Sequence, residues 1–278
     1  MTYTALLMLA ILRDNFERLD LDGVARLLAM CQQADGRCVV CALFVSTDSS
    51  RIVPRSFIGG PDQIENDIRF SYCAFAIAAM TGKWDAFDVT AALRFVQSCQ
   101  NYDGGFGQGP NQESQGGSTY CSVACFSLAH RDEELRRRSK LSSWLLHRQQ
   151  PLSGFNGRAE KPVDTCYSFW CGAALTLLGS DQLVDPISDL QFLMTTQSRI
   201  GGFAKTPGEM PDAMHSYMGL AAIALHAERD GHLVTPAIGE AHGLQSLHPG
   251  INLGKRSASW LCEQIQGKVK SHICYIAT

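Results

Sequence analysis

The chain has 278 residues, 45% of them hydrophobic and 18% charged, with a formal net charge of −3. That composition excludes disordered, collagen-like and mucin-like chains and leaves apolar material for one large domain or two small ones. Lysine plus arginine, 24, nearly balances aspartate plus glutamate, 27, which argues against a nucleic-acid-binding surface spread over the whole molecule. The 11 cysteines are irregularly spaced and read as buried thiols with at most a metal ligand among them, in a reducing, cytoplasmic compartment.

The first predicted element, residues 1–12, is an apolar helix. Its run is too short to span a bilayer, and with no basic residue ahead of it and no cleavage site behind, it does not read as a signal peptide. A pattern then recurs: an apolar helix entered near a tyrosine, a second helix, a glutamine and a Gly-Phe loop. The tyrosines are Tyr3, Tyr72, Tyr120, Tyr167 and Tyr217, spaced by 69, 48, 47 and 50 residues. The loops are Asp35-Gly36, Gly105-Phe106, Gly154-Phe155 and Gly202-Phe203, preceded by Gln33, Gln100, Gln150 and Gln197.

Residues 72–80 are apolar almost all round, as an inner, doubly covered helix requires, whereas residues 141–148 alternate faces like an outer helix. Two concentric helical layers satisfy both patterns. A closed α/α toroid with a central cavity is the expected architecture, with Tyr72, Phe75, Tyr120, Phe169 and Trp170 along the cavity wall.

The long first interval marks residues 38–60 as an atypical insertion. Its Cys38-x-x-Cys41 is half a zinc ribbon, a redox pair or part of an inert loop, and no second CxxC pairs with it. The tail, 250–278, carries no motif; Cys274 is fifth from the end, so the terminus is not a CaaX box.

Two loop-to-helix junctions are polar for so apolar an array. One reads Lys161-Pro162-Val163-Asp164-Thr165-Cys166-Tyr167-Ser168-Phe169-Trp170; the other reads Pro211-Asp212-Ala213-Met214-His215-Ser216-Tyr217. Proline followed by Asp164 or Asp212 predicts helix N-termini capped by those aspartates. Aligning the units on Tyr167 and Tyr217 sets Asp164, Cys166 and His215 at one end of the cavity. Carboxylate, thiolate and imidazole are three metal ligands that leave a fourth position open. The bland alternative is a cap followed by a core cysteine, with an unrelated histidine. Arg158, Lys161 and Lys205 around the same mouth read either as a site for a phosphorylated anion, aided by helix N-termini, or as solvated loop charges.

These residues, with Gly202-Phe203-Ala204-Lys205, resemble the β subunits of protein prenyltransferases, nearest to the type I geranylgeranyl family, from residue 2 to about 249 outside the insertion. The resemblance implies an all-α fold, an α/α toroid of prenyltransferase β repeats over 1–249, incomplete at its N-terminus. It implies one zinc ion on Asp164, Cys166 and His215, without magnesium. Lys161 and Tyr167 would be catalytic, holding the isoprenoid diphosphate with Arg158 and Lys205. Arg69, Tyr72, Gly117 and Trp170 would contact the isoprenoid, and Phe70 and Met214 would shape the pocket for the acceptor's last residue. Gln115 stands where the family usually has histidine. Lys205 separates the type I enzymes from farnesyl and Rab-type relatives, which have aspartate there. The implied reaction moves a geranylgeranyl group from geranylgeranyl diphosphate to a cysteine of CaaX-terminated proteins such as small GTPases, through a zinc-activated thiolate. The implied partner is an α subunit, with no nucleic acid and no membrane span. Three rivals remain: a farnesyltransferase β subunit, a β-like fragment that binds the α subunit or prenyl ligand without turnover, and a terpene cyclase, for which an Asp-rich motif is missing.

Overall fold

The computed structural model describes residues 2–33, 55–60, 65, 67–230, 244, 246–266 and 268. Among them lie α1 (Thr2–Ile11), α2 (Leu21–Cys31), α3 (Ile68–Thr81), α4 (Val89–Ser98), α5 (Gly116–Leu128) and α6 (Arg138–Leu146). Then come α7 (Thr165–Leu177), α8 (Pro186–Thr196), α9 (Ala213–Asp230), the strands β1 (Leu247–His248) and β2 (Leu253–Gly254), and α10 (Lys255–Gln266). The expected all-α toroidal architecture is the one adopted. Helices α1, α3, α5, α7 and α9 pack side by side in chain order as the inner layer, with α4, α6 and α8 against them outside.

Burial follows from this layering. Nearly every residue of α3 is buried, because an inner helix is covered on both flanks and behind. Outer α6 buries Leu141, Trp144 and Leu145 and leaves Ser139, Lys140 and Ser143 in water, an i, i+3, i+4 stripe.

The repeat glutamine has a structural reason. The Gln32 side chain donates from Nε2 to the Asp88 carbonyl at 2.9 Å and accepts from the Asp88 N–H at 2.9 Å. Gln149 does the same to Asp185, at 2.7 and 3.0 Å. Asp88 and Asp185 are the N-caps of α4 and α8. A primary amide offers donor and acceptor together, so one side chain pins the start of the next outer helix at two points. The markers are therefore Gln32 and Gln149, one residue earlier than the sequence pattern placed them. Single antiparallel bridges join Gln32 to Phe57, Gln100 to Phe106, Gln149 to Phe155 and Gln197 to Phe203. Phe57, and not the vicinity of Asp35-Gly36, thus fills the first repeat's aromatic position; Cys38-x-x-Cys41 lies outside the described residues. Gly104 turns its loop at φ 104°, and a Cβ there would stand 2.6 Å from the Lys140 backbone.

A second correction concerns register. Asp67, Gln115 and Asp164 are the N-caps of α3, α5 and α7, and Asp212 precedes α9. Counted from these caps, Tyr72, Tyr120 and Tyr217 are equivalent, but their counterpart on α7 is Phe169. Tyr167 corresponds to His215. Tyrosine occurs at two different helical positions, and sequence spacing alone does not separate them.

The tyrosines have a common task. Tyr3 and Tyr72 share a hydroxyl contact at 2.9 Å, and Tyr72 and Tyr120 another at 3.2 Å. Tyr3 donates to the Ile251 carbonyl, Tyr120 to that of Pro249 and Tyr217 to that of Asn252, at 2.8, 2.7 and 2.6 Å. Residues 249–252 are the turn between β1 and β2, so phenols from three inner helices hold one turn, and Tyr72 on a fourth links two of those phenols. The tail continues into α10, which packs on α1 and α3; Trp260 Nε1 donates to the Asp14 carbonyl at 2.9 Å. No described helix is long and apolar enough to cross a membrane.

Successive inner helices begin along one rim. The first N–H of α3 donates to the Gln108 carbonyl, that of α5 to Gly157 and that of α7 to Lys205, at 3.0, 2.9 and 3.0 Å. Each loop ahead of one inner helix thereby satisfies an orphan donor of the helix before it.

Candidate functional site

Asp164 caps α7 by accepting the Cys166 N–H on Oδ1 at 2.9 Å. Its own backbone is extended, with φ −154° and ψ 131°. In a regular helix residues two apart point in different directions; the extended cap lets Asp164 and Cys166 face the same place. Asp212 accepts the His215 N–H on Oδ1 at 2.9 Å and the ring Nδ1–H on Oδ2 at 2.5 Å. That second bond sets the tautomer and aims Nε2 at α7.

The ligand atoms of Asp164, Cys166 and His215 lie within 4.8 Å of one another, and all three residues are buried. His215 Nε2 stands 3.3 Å from Asp164 Oδ1 yet is buried without a hydrogen-bond partner. Burial, and next the carboxylate of Asp164, raise the Cys166 thiol well above its ordinary range. An orphaned imidazole nitrogen, a carboxylate and a thiol that resists ionisation form a donor set that fits zinc, because a divalent cation reverses each of these penalties.

The anion-side residues flank this triangle. Arg158 is half-exposed, and its Nη1 donates to Glu113 Oε2 at 2.8 Å. Gln115 Nε2 donates to the Tyr167 hydroxyl at 2.9 Å. Burial, followed by Cys166 and Asp164, pushes Tyr167 up to about 12, so its O–H stays a proton donor near neutral pH. Lys161 and Lys205 present exposed side chains at the rim, on loops tied down by Asn156 Nδ2 to the Lys161 carbonyl and Thr165 N–H to the Lys205 carbonyl, at 3.1 and 3.0 Å. The Tyr167 ring lies flat on Gly157, where a Cβ would stand 2.1 Å from its Cζ. Gly157→Ala is expected to displace that ring and weaken pyrophosphate binding about tenfold, read by calorimetry; unchanged binding would place Tyr167 outside the anion site.

Tyr72 and Trp170 line an apolar cavity of about 320 Å³ together with Tyr3, Leu7, Tyr217 and Met218. The cavity opens where Met8, Ile11 and Tyr217 are half-exposed. Tyr120 and Phe169 form the fully buried wall behind Trp170. Phe75 turns instead to Trp84 and Phe87. Gly117 adjoins the Gln115 amide, and Arg69 is paired with Asp67 and Glu65. Phe70 lines a separate cavity of about 110 Å³ beside α1 and α2, and Met214 is exposed on the first turn of α9, so the structure does not bring these two to the larger cavity. Sequence reasoning missed Glu113, the bracing role of Gln115, and the bond from Asp212 to the imidazole. Only the last had a signal, Asp-x-x-His at a helix start.

The chain is 37% identical over 248 residues to the geranylgeranyl transferase type-1 subunit beta of Arabidopsis thaliana, covering 86% of this chain and 61% of that protein. It is 34% identical over 260 residues to the subunit of the same name from Dictyostelium discoideum, covering 92% and 64%. The chain thus spans about three fifths of the length of these curated relatives. The fold is similar to Candida albicans protein geranylgeranyltransferase-I complexed with GGPP, with a TM-score of 0.71 and 27% identity over 92% of this chain and 71% of that one. Residues 1–253 match the prenyltransferase alpha-alpha toroid domain, and the chain belongs to that family.

Proposed function

We propose that this chain acts as the β part of a type I protein geranylgeranyltransferase, in the cytoplasm, paired with an α subunit. It would transfer the geranylgeranyl group of geranylgeranyl diphosphate to a cysteine of CaaX-terminated proteins. The observation that carries this reading is the buried triangle of Asp164, Cys166 and His215 with its orphaned Nε2, on the same two helices, α7 and α9, that send Trp170, Tyr217 and Met218 into the apolar cavity. The names of the relatives and the GGPP complex of the similar Candida albicans enzyme support it.

Asp164, Cys166 and His215 would hold zinc, which would supply a Lewis acid able to keep an acceptor thiol deprotonated near neutral pH. The chain's own groups do the rest. Tyr167 keeps its proton and donates a hydrogen bond to a diphosphate oxygen, while Arg158, Lys161 and Lys205 stabilise the charge that grows there as the bond to the allylic carbon breaks. The helix N-termini along the rim add their dipoles. Tyr72 and Trp170 bind the prenyl chain and exclude water, which would otherwise capture the allylic carbon. Gln115 is neutral and contributes by orienting Tyr167. Lys205 is a cation at the rim, so turnover is expected without magnesium.

The test is co-expression with a prenyltransferase α subunit, followed by transfer to a peptide ending Cys-a-a-Leu. Geranylgeranyl transfer that requires zinc and ignores magnesium is the expected result. Preference for farnesyl diphosphate would overturn the type I reading, and co-purification with bound prenyl diphosphate but no transfer would favour a ligand-binding role.

A further inference from the structure

Resting on that reading of the mouth, we propose that Glu113 is a built-in counter-anion that competes with the diphosphate for Arg158. Glu113 lies in the loop ahead of α5, and Arg158 in the loop ahead of α7, one repeat away. Their side chains meet across the rim at 2.8 Å, 62% and 41% exposed. Two features make this pair a placeholder rather than a girder. So exposed an ion pair contributes little to stability, and is readily exchanged. The partner it holds is also the residue whose planar fork suits a diphosphate, an anion with more charge and more acceptor oxygens than one carboxylate.

The same loop treats the two donors of the α7 junction differently. At position 115 a neutral amide donates to Tyr167 and leaves that hydroxyl's proton for the ligand. At position 113 a carboxylate accepts from Arg158 Nη1, taking one of the guanidinium's five donors and offsetting its charge. Glu113 therefore lowers the affinity of the rim for anions and recaptures Arg158 when the pyrophosphate product leaves.

The experiment is calorimetric titration of the full chain with sodium pyrophosphate, for the wild type, Glu113→Gln, Arg158→Ala, the double variant and Lys161→Ala. Glu113→Gln is expected to tighten pyrophosphate binding about fivefold, the effect of removing one screened unit charge a few ångströms from the ligand. The gain should vanish in the Arg158→Ala background, because the two residues act as a coupled pair. Glu113→Gln retains the side chain's shape at an exposed site, so loss of folding does not obscure the result. If pyrophosphate binds the wild type, is lost in Lys161→Ala and is unaffected or weakened by Glu113→Gln, this inference alone is overturned. If pyrophosphate does not bind the wild type, the reading of the rim falls with it.

Discussion

Cys166→Ala, assayed in complex with an α subunit, is expected to hold no stoichiometric zinc, where the wild type is expected to hold one ion, and to lower prenyl transfer roughly a thousandfold. The size follows from the geometry. Asp164, Cys166 and His215 converge within 4.8 Å from two helices, and each is buried where an unpaired polar atom is costly. Removing the sulfur leaves two ligands, too few to hold zinc against water in a tetrahedral site. The folded chain should survive, because alanine fits the space of a thiol and the α7 cap made by the Asp164 carboxylate remains. Metal content by mass spectrometry, transfer rate and circular dichroism measured on one preparation check all three parts. Zinc and turnover at wild-type levels would remove Cys166 from the ligand set.

The largest expected loss of stability comes from Asp189→Leu. Asp189 sits on α8 with no exposed surface; Ser168 of α7 donates to its Oδ1 at 2.6 Å, and His226 Nε2 of α9 donates to its Oδ2 at 2.7 Å. One carboxylate thus ties three helices together. Without it, the buried Nε2–H of His226 loses its acceptor, at a cost of about 1–3 kcal/mol. The double variant Asp189→Leu/His226→Leu should recover most of that loss, because two apolar side chains replace two buried polar ones, while the Ser168 hydroxyl turns back to the carbonyl four residues earlier. Urea unfolding of the wild type, the single and the double variant measures both effects. A single variant that unfolds at the wild-type midpoint would show that the network carries no stability.

Much of the array was legible from the chain. The inner helix over residues 72–80 and the outer one over 141–148 were readable because burial on all sides and burial on one side leave different periodicities. The caps at Asp164 and Asp212 were readable because a proline before a short acidic side chain marks where a helix starts. Register was not: Tyr167 and Tyr217 look alike in sequence, but one braces against Gln115 and the other holds the 249–252 turn. The marker glutamines were misplaced by one residue for a similar reason. Gln32 and Gln33 are adjacent and chemically identical, and only the pairing with Asp88 distinguishes them.

By itself, then, the sequence determined the repeat, the two helical layers and the three candidate metal-ligand residue types, since each is a local or periodic property of neighbouring residues. Tertiary structure decided the rest. The Nε2 atom aimed at Asp164, the Gln115 brace and the Glu113–Arg158 pair all join residues about 45 to 52 positions apart. Their proximity depends on how far each inner helix is rotated against the next, which side-chain packing sets and no local pattern records.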